Sequence, residues 1–175
     1  MLLIQLAGLS GSGKSTISSK VKKMLNDKNL AVEIIDGDVY RQTLCNDPGF
    51  SKRDRCQNIR RLGNLAVTFT QKGIIAIIAA INPYEEVRDE LKTRYGAKTV
   101  WIDFTIDEQV KRDTKGLYKR ALLSEGHRDK LNNLTGVNDI YEPPENSDLK
   151  ICSDLNTIEQ STGKLFGFIM KNIDG

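Results

Sequence analysis

The chain has no apolar run approaching the roughly 18 residues that a membrane-spanning helix requires, so no helical anchor is expected. Cysteine is scarce and odd in number: Cys45, Cys56 and Cys152 form no C-x-x-C pair and no zinc spacing. That excludes a disulfide framework and predicts reduced thiols in a cytoplasmic protein. His127 is the only histidine and Trp101 the only tryptophan. The first falls in a polar stretch and reads as a solvated loop residue. The second falls in an apolar run and reads as core. No basic segment precedes the first apolar run, so a signal peptide is not expected. Neither sign of charge dominates, since 26 basic and 23 acidic residues leave a net +3. That is too little for coating nucleic acid but fits a small anionic substrate. There is no internal repeat and no low-complexity tract. With 39% hydrophobic and 28% charged residues, the 175-residue chain reads as one globular domain over 1–175.

Short apolar runs alternate with longer segments of helical period. Leu2–Ala7, Ala31–Ile35, Gly73–Ala80, Thr99–Phe104 and Leu149–Cys152 read as strands. The near-continuous isoleucines of Gly73–Ala80 mark a strand buried on both faces. Thr16–Asn29, Asp54–Gln71, Tyr84–Tyr95 and Thr157–Lys171 read as helices. This alternation predicts an α/β, P-loop NTPase three-layer fold: a central parallel sheet of about five strands flanked by helices. Lys111–Asn146 breaks the rhythm. It is polar, basic and poor in apolar anchors, which predicts a lid at about 111–146.

Gly8-Leu9-Ser10-Gly11-Ser12-Gly13-Lys14-Ser15 fits G-x-x-x-x-G-K-[ST]. Phosphate oxygens need several donors converging at close range. Glycine lets backbone N–H groups turn inward where a Cβ would clash, and the following helix adds its N-terminal dipole. Lys14 is expected at the β- and γ-phosphates of ATP, and the Ser15 hydroxyl at Mg²⁺. The run Gly73–Ala80 ends without the acid that many P-loop ATPases carry there. The carboxylates beside the cradle are instead Asp36 and Asp38, after the second strand. Either is suited to contacting the metal or accepting a hydroxyl proton, though Asp36-Gly37 is also a strong turn former. No N-K-x-D motif is present, which argues against a switch GTPase. Arg41, Lys52, Arg53, Arg55, Arg60 and Arg61 follow, with Phe50 and Asn58 among them. Arginine grips phosphate or sulfate oxygens with paired donors, and an aromatic can stack on a base; a solvated basic helix face would explain about half of these residues. No aromatic-plus-basic strand platform argues for a polynucleotide acceptor.

GLSGSGKST, DGD-x-x-R, GFS-x-x-DR-x-x-NIRR, INPY, RD-x-KGLYKRA and LTG…YE-P-PEN occur in this order, and over residues 2 to about 150 the chain resembles the adenylylsulfate kinases. The resemblance implies transfer of phosphate from Mg·ATP to the 3′-hydroxyl of adenosine 5′-phosphosulfate, giving PAPS, by a homodimer with a mobile lid. It implies that Gly8, Ser10, Gly11, Ser12, Gly13, Lys14, Ser15 and Thr16 bind ATP, with Ser15 and Asp36 at the metal. Asp38 matches the acid at the acceptor hydroxyl, with Asp36 its partner. Arg41, Arg55 and Asn58 match acceptor-binding positions, Phe50 a ring that stacks on the acceptor base, and Lys115 the lid lysine. Arg112 lies beside that lysine, positioned toward the transferring phosphate. Ile81, Asn82, Leu134 and Thr135 complete the implied acceptor site.

Three positions depart from the family pattern. Family members usually read A-F-I-S-P-Y where this chain has Ala79-Ala80-Ile81-Asn82-Pro83-Tyr84, and F-T-G where it has Leu134-Thr135-Gly136. All three fall on the acceptor side. They are read either as drift within adenylylsulfate kinases or as retuning toward another nucleotide anhydride, such as cytidine diphosphoramidate used in capsule modification. A catalytically silent nucleotide-binding module is the reading from another class, and the intact Lys14, Ser15 and Asp38 argue against it.

Overall fold

The computed structural model describes residues 1–43, 49–113 and 115–173; Cys45 lies outside them. Five strands, β1 (Leu3–Ala7), β2 (Val32–Asp36), β3 (Ile75–Ala79), β4 (Lys98–Asp103) and β5 (Leu149–Cys152), form one sheet in the order β2-β3-β1-β4-β5. All four pairings are parallel, with Ile4 opposite Ile77 and Lys98, and Asp36 opposite Ala79. The helices are α1 (Lys14–Asn26), α2 (Gly37–Tyr40), α3 (Lys52–Thr70), α4 (Glu85–Tyr95), α5 (Ile106–Arg112), α6 (Leu117–Ala121) and α7 (Ile158–Ile173).

Burial explains the sequence of β1 and β3, each covered along its whole length. On one face of the sheet, Ile17, Val21 and Leu25 of α1 join Leu165 and Ile169 of α7 against Ile4, Leu6, Ile77 and Val100. On the other, Ile59 and Leu62 of α3 join Val87 and Leu91 of α4 against Leu3, Ala76 and Ile78. A sheet covered on both faces has continuous rather than alternating apolar strands.

Capping residues decide where the helices begin. α1 starts at Lys14 rather than Thr16, because Gly13, at φ 95°, already turns the chain into the helix. α3 starts at Lys52 rather than Asp54: the Ser51 hydroxyl accepts from the Asp54 N–H and the Asp54 carboxylate accepts from the Ser51 N–H, a reciprocal capping box. The Asp-Gly pair does not make a simple turn. Asp36 Oδ1 accepts from the N–H groups of Asp38 (2.9 Å) and Val39 (3.4 Å), which caps the single turn α2.

Two expectations need correction. The lid is not poor in anchors: Tyr118, Ala121 and Leu134 form a small buried cluster of their own, flanked by Leu117, Leu131 and Val137. Their spacing has no single period because the cluster joins a short helix to a loop. Trp101 is not core but half-buried. It pairs in register with Lys150 of the edge strand β5, and the Lys150 ammonium covers its ring at 4.0 Å. His127 is exposed, its Nδ1 accepting from the Asp129 N–H at 3.1 Å. Among the described residues no helix is long and apolar enough to cross a membrane.

Candidate active site

The site lies at the C-terminal ends of the central strands, where the neighbours of β1 diverge, the place where open α/β sheets bind ligands. The loop from Gly8 to Gly13 leaves β1 and enters α1. Its first residue is pinned by the Gly8 N–H donating to Ile81 O (3.1 Å). Gly8 leaves no room for a side chain, since a Cβ there would lie 2.5 Å from the Ile102 carbonyl oxygen.

Lys14 is buried against this loop. Its ammonium donates to Gly8 O (2.8 Å), Leu9 O (2.7 Å) and the Ser12 hydroxyl (3.3 Å). Burial pushes its pKa down to about 7, against the upward pull of Asp38; Lys115 pushes it further down and Asp36 draws it up. Ser15, in the first turn of α1, donates to Asp36 Oδ2 at 2.6 Å. The hydroxyl and carboxylate thus share one point at the mouth of the cradle. They are hard oxygen donors, and among the described residues no group of three or more His, Cys, Asp or Glu is placed to hold a metal ion. That donor set fits Mg²⁺, which keeps several waters and completes its shell with substrate phosphates.

Asp38, on α2, has its side chain 71% exposed, and its Oδ2 accepts from Lys115 Nζ of the lid at 2.7 Å. Here the two carboxylates separate: Asp36 faces Ser15 and Asp38 faces the lid.

Three cavities run in series through these residues. The middle one, about 190 Å³, is bounded by Ser10, Gly11 and Gly13 to Thr16, by Asp36 and Asp38, and by Lys115. The second, about 220 Å³, shares Asp38, Ala80 and Ile81 with it and continues past Arg41, Phe50, Arg55, Asn58 and Asn82. The third, about 200 Å³, shares Ser10, Gly11, Gly13, Thr16 and Lys115 with the middle one. It continues to Gln109, Arg112, Tyr118 and Ile158, and shares no lining residue with the second.

In the second cavity two guanidinium groups lie against the Phe50 ring, Arg41 at 4.8 Å and Arg55 at 5.4 Å from its centre. Arg55 is buried. It donates to Phe50 O (2.9 Å) and Asn133 O (2.7 Å) and pairs with Asp139 (2.8 Å), tying α3 to the lid. The Asn58 and Asn82 side-chain oxygens are buried without a hydrogen-bond partner among the described residues. Asn82 sits at φ 50°. Its orientation is set from behind: Gln5 Nε2 donates to Arg88 O and Thr99 Oγ1, so Gln5 Oε1 accepts from Asn82 Nδ2 (3.0 Å). Arg88 in turn donates to Asn82 O (2.6 Å) and Glu142 O (2.7 Å).

Three implied residues stand apart from this pattern. Leu134 packs within the lid cluster and Thr135 is buried beside it; neither lines the acceptor-side cavity. Arg112 lines the third cavity rather than the middle one, with its guanidinium 4.5 Å from the Phe104 ring. Sequence reasoning missed Tyr118, whose hydroxyl donates to Ser10 O (2.8 Å) and docks the lid on the phosphate loop. It also missed Gln109.

The adenylylsulphate kinase family model matches residues 1–152. The chain belongs to the adenylylsulphate kinase family. An adenylyl-sulfate kinase of Rippkaea orientalis is 40% identical over 164 residues, covering 93% of this chain and 88% of that one. A probable adenylyl-sulfate kinase of Aeropyrum pernix is 32% identical over 178 residues, covering 99% and 94%. Among solved structures, the Mycobacterium tuberculosis APS kinase in complex with AMPPNP and APS superposes with a TM-score of 0.88 at 30% identity, covering 97% of each chain. Shikimate kinase of Aquifex aeolicus, at 18% identity and a TM-score of 0.55, shares the fold. The family match ends at β5 and leaves out α7, which nevertheless packs against α1 as part of the core.

Proposed function

We propose that this adenylylsulphate kinase family member moves the γ-phosphate of Mg·ATP to the ribose 3′-hydroxyl of adenosine 5′-phosphosulfate, giving PAPS and ADP. One observation carries the reading: three connected cavities with the phosphate loop at the centre and Asp38 at the junction with the second. In-line transfer needs donor and acceptor on opposite sides of the moving phosphoryl group, which the two outer cavities offer. Asp38 Oδ2 accepts the proton of the attacking hydroxyl. Lys14 and Lys115 balance charge on the phosphoryl oxygens. Ser15 and Asp36 would hold Mg²⁺, which would supply positive charge to offset that of the ATP phosphates. Arg41 and Arg55 grip the anionic tail and Phe50 stacks on the base.

A second reading, a cytidine acceptor such as cytidine diphosphoramidate, is favoured by the wall of the acceptor-side cavity. Among the described residues Phe50 is the only aromatic side chain that lines it, and Ala80 and Asn82 line it too. Adenine and cytosine both carry an exocyclic amine that suits an unpaired Asn oxygen. We take the protein to act in the cytoplasm, since Cys56 and Cys152 are free thiols, and as a homodimer, as its family resemblance implies. The test offers Mg·ATP with adenosine 5′-phosphosulfate, cytidine diphosphoramidate and their parent nucleotides, following ADP release and product mass. We expect PAPS, with measurable competition by the cytidine compound. Acceptor-independent ADP release, or no phosphorylated nucleotide from any acceptor, would overturn the reading.

A further inference from the structure

The third cavity contains a residue that the family motifs do not cover. Helix α5 is inverted relative to an ordinary surface helix. Its apolar residues Ile106 and Val110 are exposed, at 40% and 37%, while the polar Gln109 is 2% exposed. An exposed isoleucine needs no explanation; a buried amide does. The Gln109 carboxamide nitrogen is buried without a hydrogen-bond partner among the described residues. Such a donor is costly to keep unless something pairs with it. The side chain is held against the phosphate loop: a Cβ on Gly11 would lie 2.9 Å from Gln109 Oε1. Gly11 has φ +81°, a backbone conformation that by itself favours glycine there, and the absence of a side chain leaves the space that the Gln109 carboxamide occupies.

We infer that Gln109 is a binding residue for the nucleoside of the donor, its Nε2 donating to an acceptor atom on the base or ribose. The inference rests on the reading of the third cavity as the donor side of the kinase. Asp38 does not line that cavity, which is continuous with the phosphate loop through Ser10, Gly11, Gly13 and Thr16. Arg112, backed by the Phe104 ring, presents a planar cation in the same cavity and supplies stacking. Ile158, Leu117 and Tyr118 also line this cavity, and Gln109 adds a directional contact beside them that would help to orient a polar nucleoside.

The experiment compares wild type with Gln109→Met and Gln109→Leu. It measures direct binding of ATP and of inorganic tripolyphosphate without acceptor, together with thermal melting. Met keeps the volume and flexibility of the side chain and removes the donor; Leu removes it in a shorter form. The expected result is about threefold to tenfold weaker ATP binding in both variants, the share of one hydrogen bond. Tripolyphosphate affinity should be unchanged and the melting temperature equal or higher, because a buried polar group has gone. A purely structural role would move melting and leave this ratio alone. Unchanged ATP affinity would overturn the inference. So would parallel weakening of ATP and tripolyphosphate, which would mean that Gln109 acts only through Gly11 on the phosphate loop. Because no acceptor is present, these outcomes are independent of which nucleotide is phosphorylated. Wild type that fails to bind ATP would instead remove the kinase reading itself.

Discussion

Replacing Asp38 by Asn separates chemistry from architecture. The substitution keeps shape and removes the charge and the proton acceptor. Stability is expected to change little, because the Asp38–Lys115 pair is solvated, with side chains 71% and 53% exposed. Pairs of that kind contribute about 0–1 kcal/mol, which in a chain of this length moves the melting temperature by no more than about 2–4 °C. The carboxylate also plays no part in capping α2, which Asp36 does through the N–H groups of Asp38 and Val39. Turnover should nevertheless fall by about 10²-fold or more, the range for losing a positioned general base. ATP affinity should stay within about threefold. The assay is coupled ADP release at saturating and limiting acceptor, with ATP binding measured by calorimetry on the same preparations. Asp36→Asn is the control. It retains an amide able to cap α2 but weakens the oxygen pair with Ser15, so its loss should be partly recovered by raising Mg²⁺, whereas that of Asp38→Asn should not. Turnover of Asp38→Asn within about fivefold of wild type would refute the assignment. A loss confined to ATP affinity would move Asp38 into the donor site.

Three further outcomes are expected. Lys14→Ala should abolish transfer and also lower the melting temperature, because two loop carbonyls and the Ser12 hydroxyl lose their shared donor, a cost of about 1–3 kcal/mol; near-normal turnover would contradict the site. Leu134→Phe should destabilise the lid cluster by about 1–3 kcal/mol if the ring stays among Tyr118 and Ala121; if it turns out to the acceptor, base preference should sharpen toward adenine, which competition between adenine and cytosine acceptors measures. Iodoacetamide at pH 8 should label Cys152 and spare native Cys56, whose thiol burial pushes up to about 11, as peptide mass mapping will show; equal labelling would count against that burial.

The sequence alone determined the sheet and the cradle. Strand identity follows from runs such as Ile75–Ala79, whose continuous apolar character has one cheap solution, burial on both faces. The phosphate loop is legible because its glycines and Lys14 answer to local geometry within one strand–turn–helix unit. Ser51 and Asp54 are present as a capping pair, yet the apolar period points to a later start for α3, because capping is a local hydrogen-bond exchange and the period begins further on. What the tertiary structure decided are relations between residues distant in the chain. Asp36 and Asp38 stand two positions apart and look alike in sequence. Only the packing of α1 sets one against Ser15, and only the lid brings Lys115 to the other. Leu134 matches a base-stacking position by motif, but its side chain serves the lid's own cluster, because Tyr118 and Ala121 offer it apolar contact. Gln109 carries no local signal beyond a polar residue on a short helix. Its meaning arises from burial against Gly11, nearly a hundred residues away, and burial of an unpaired donor is a property of the folded chain.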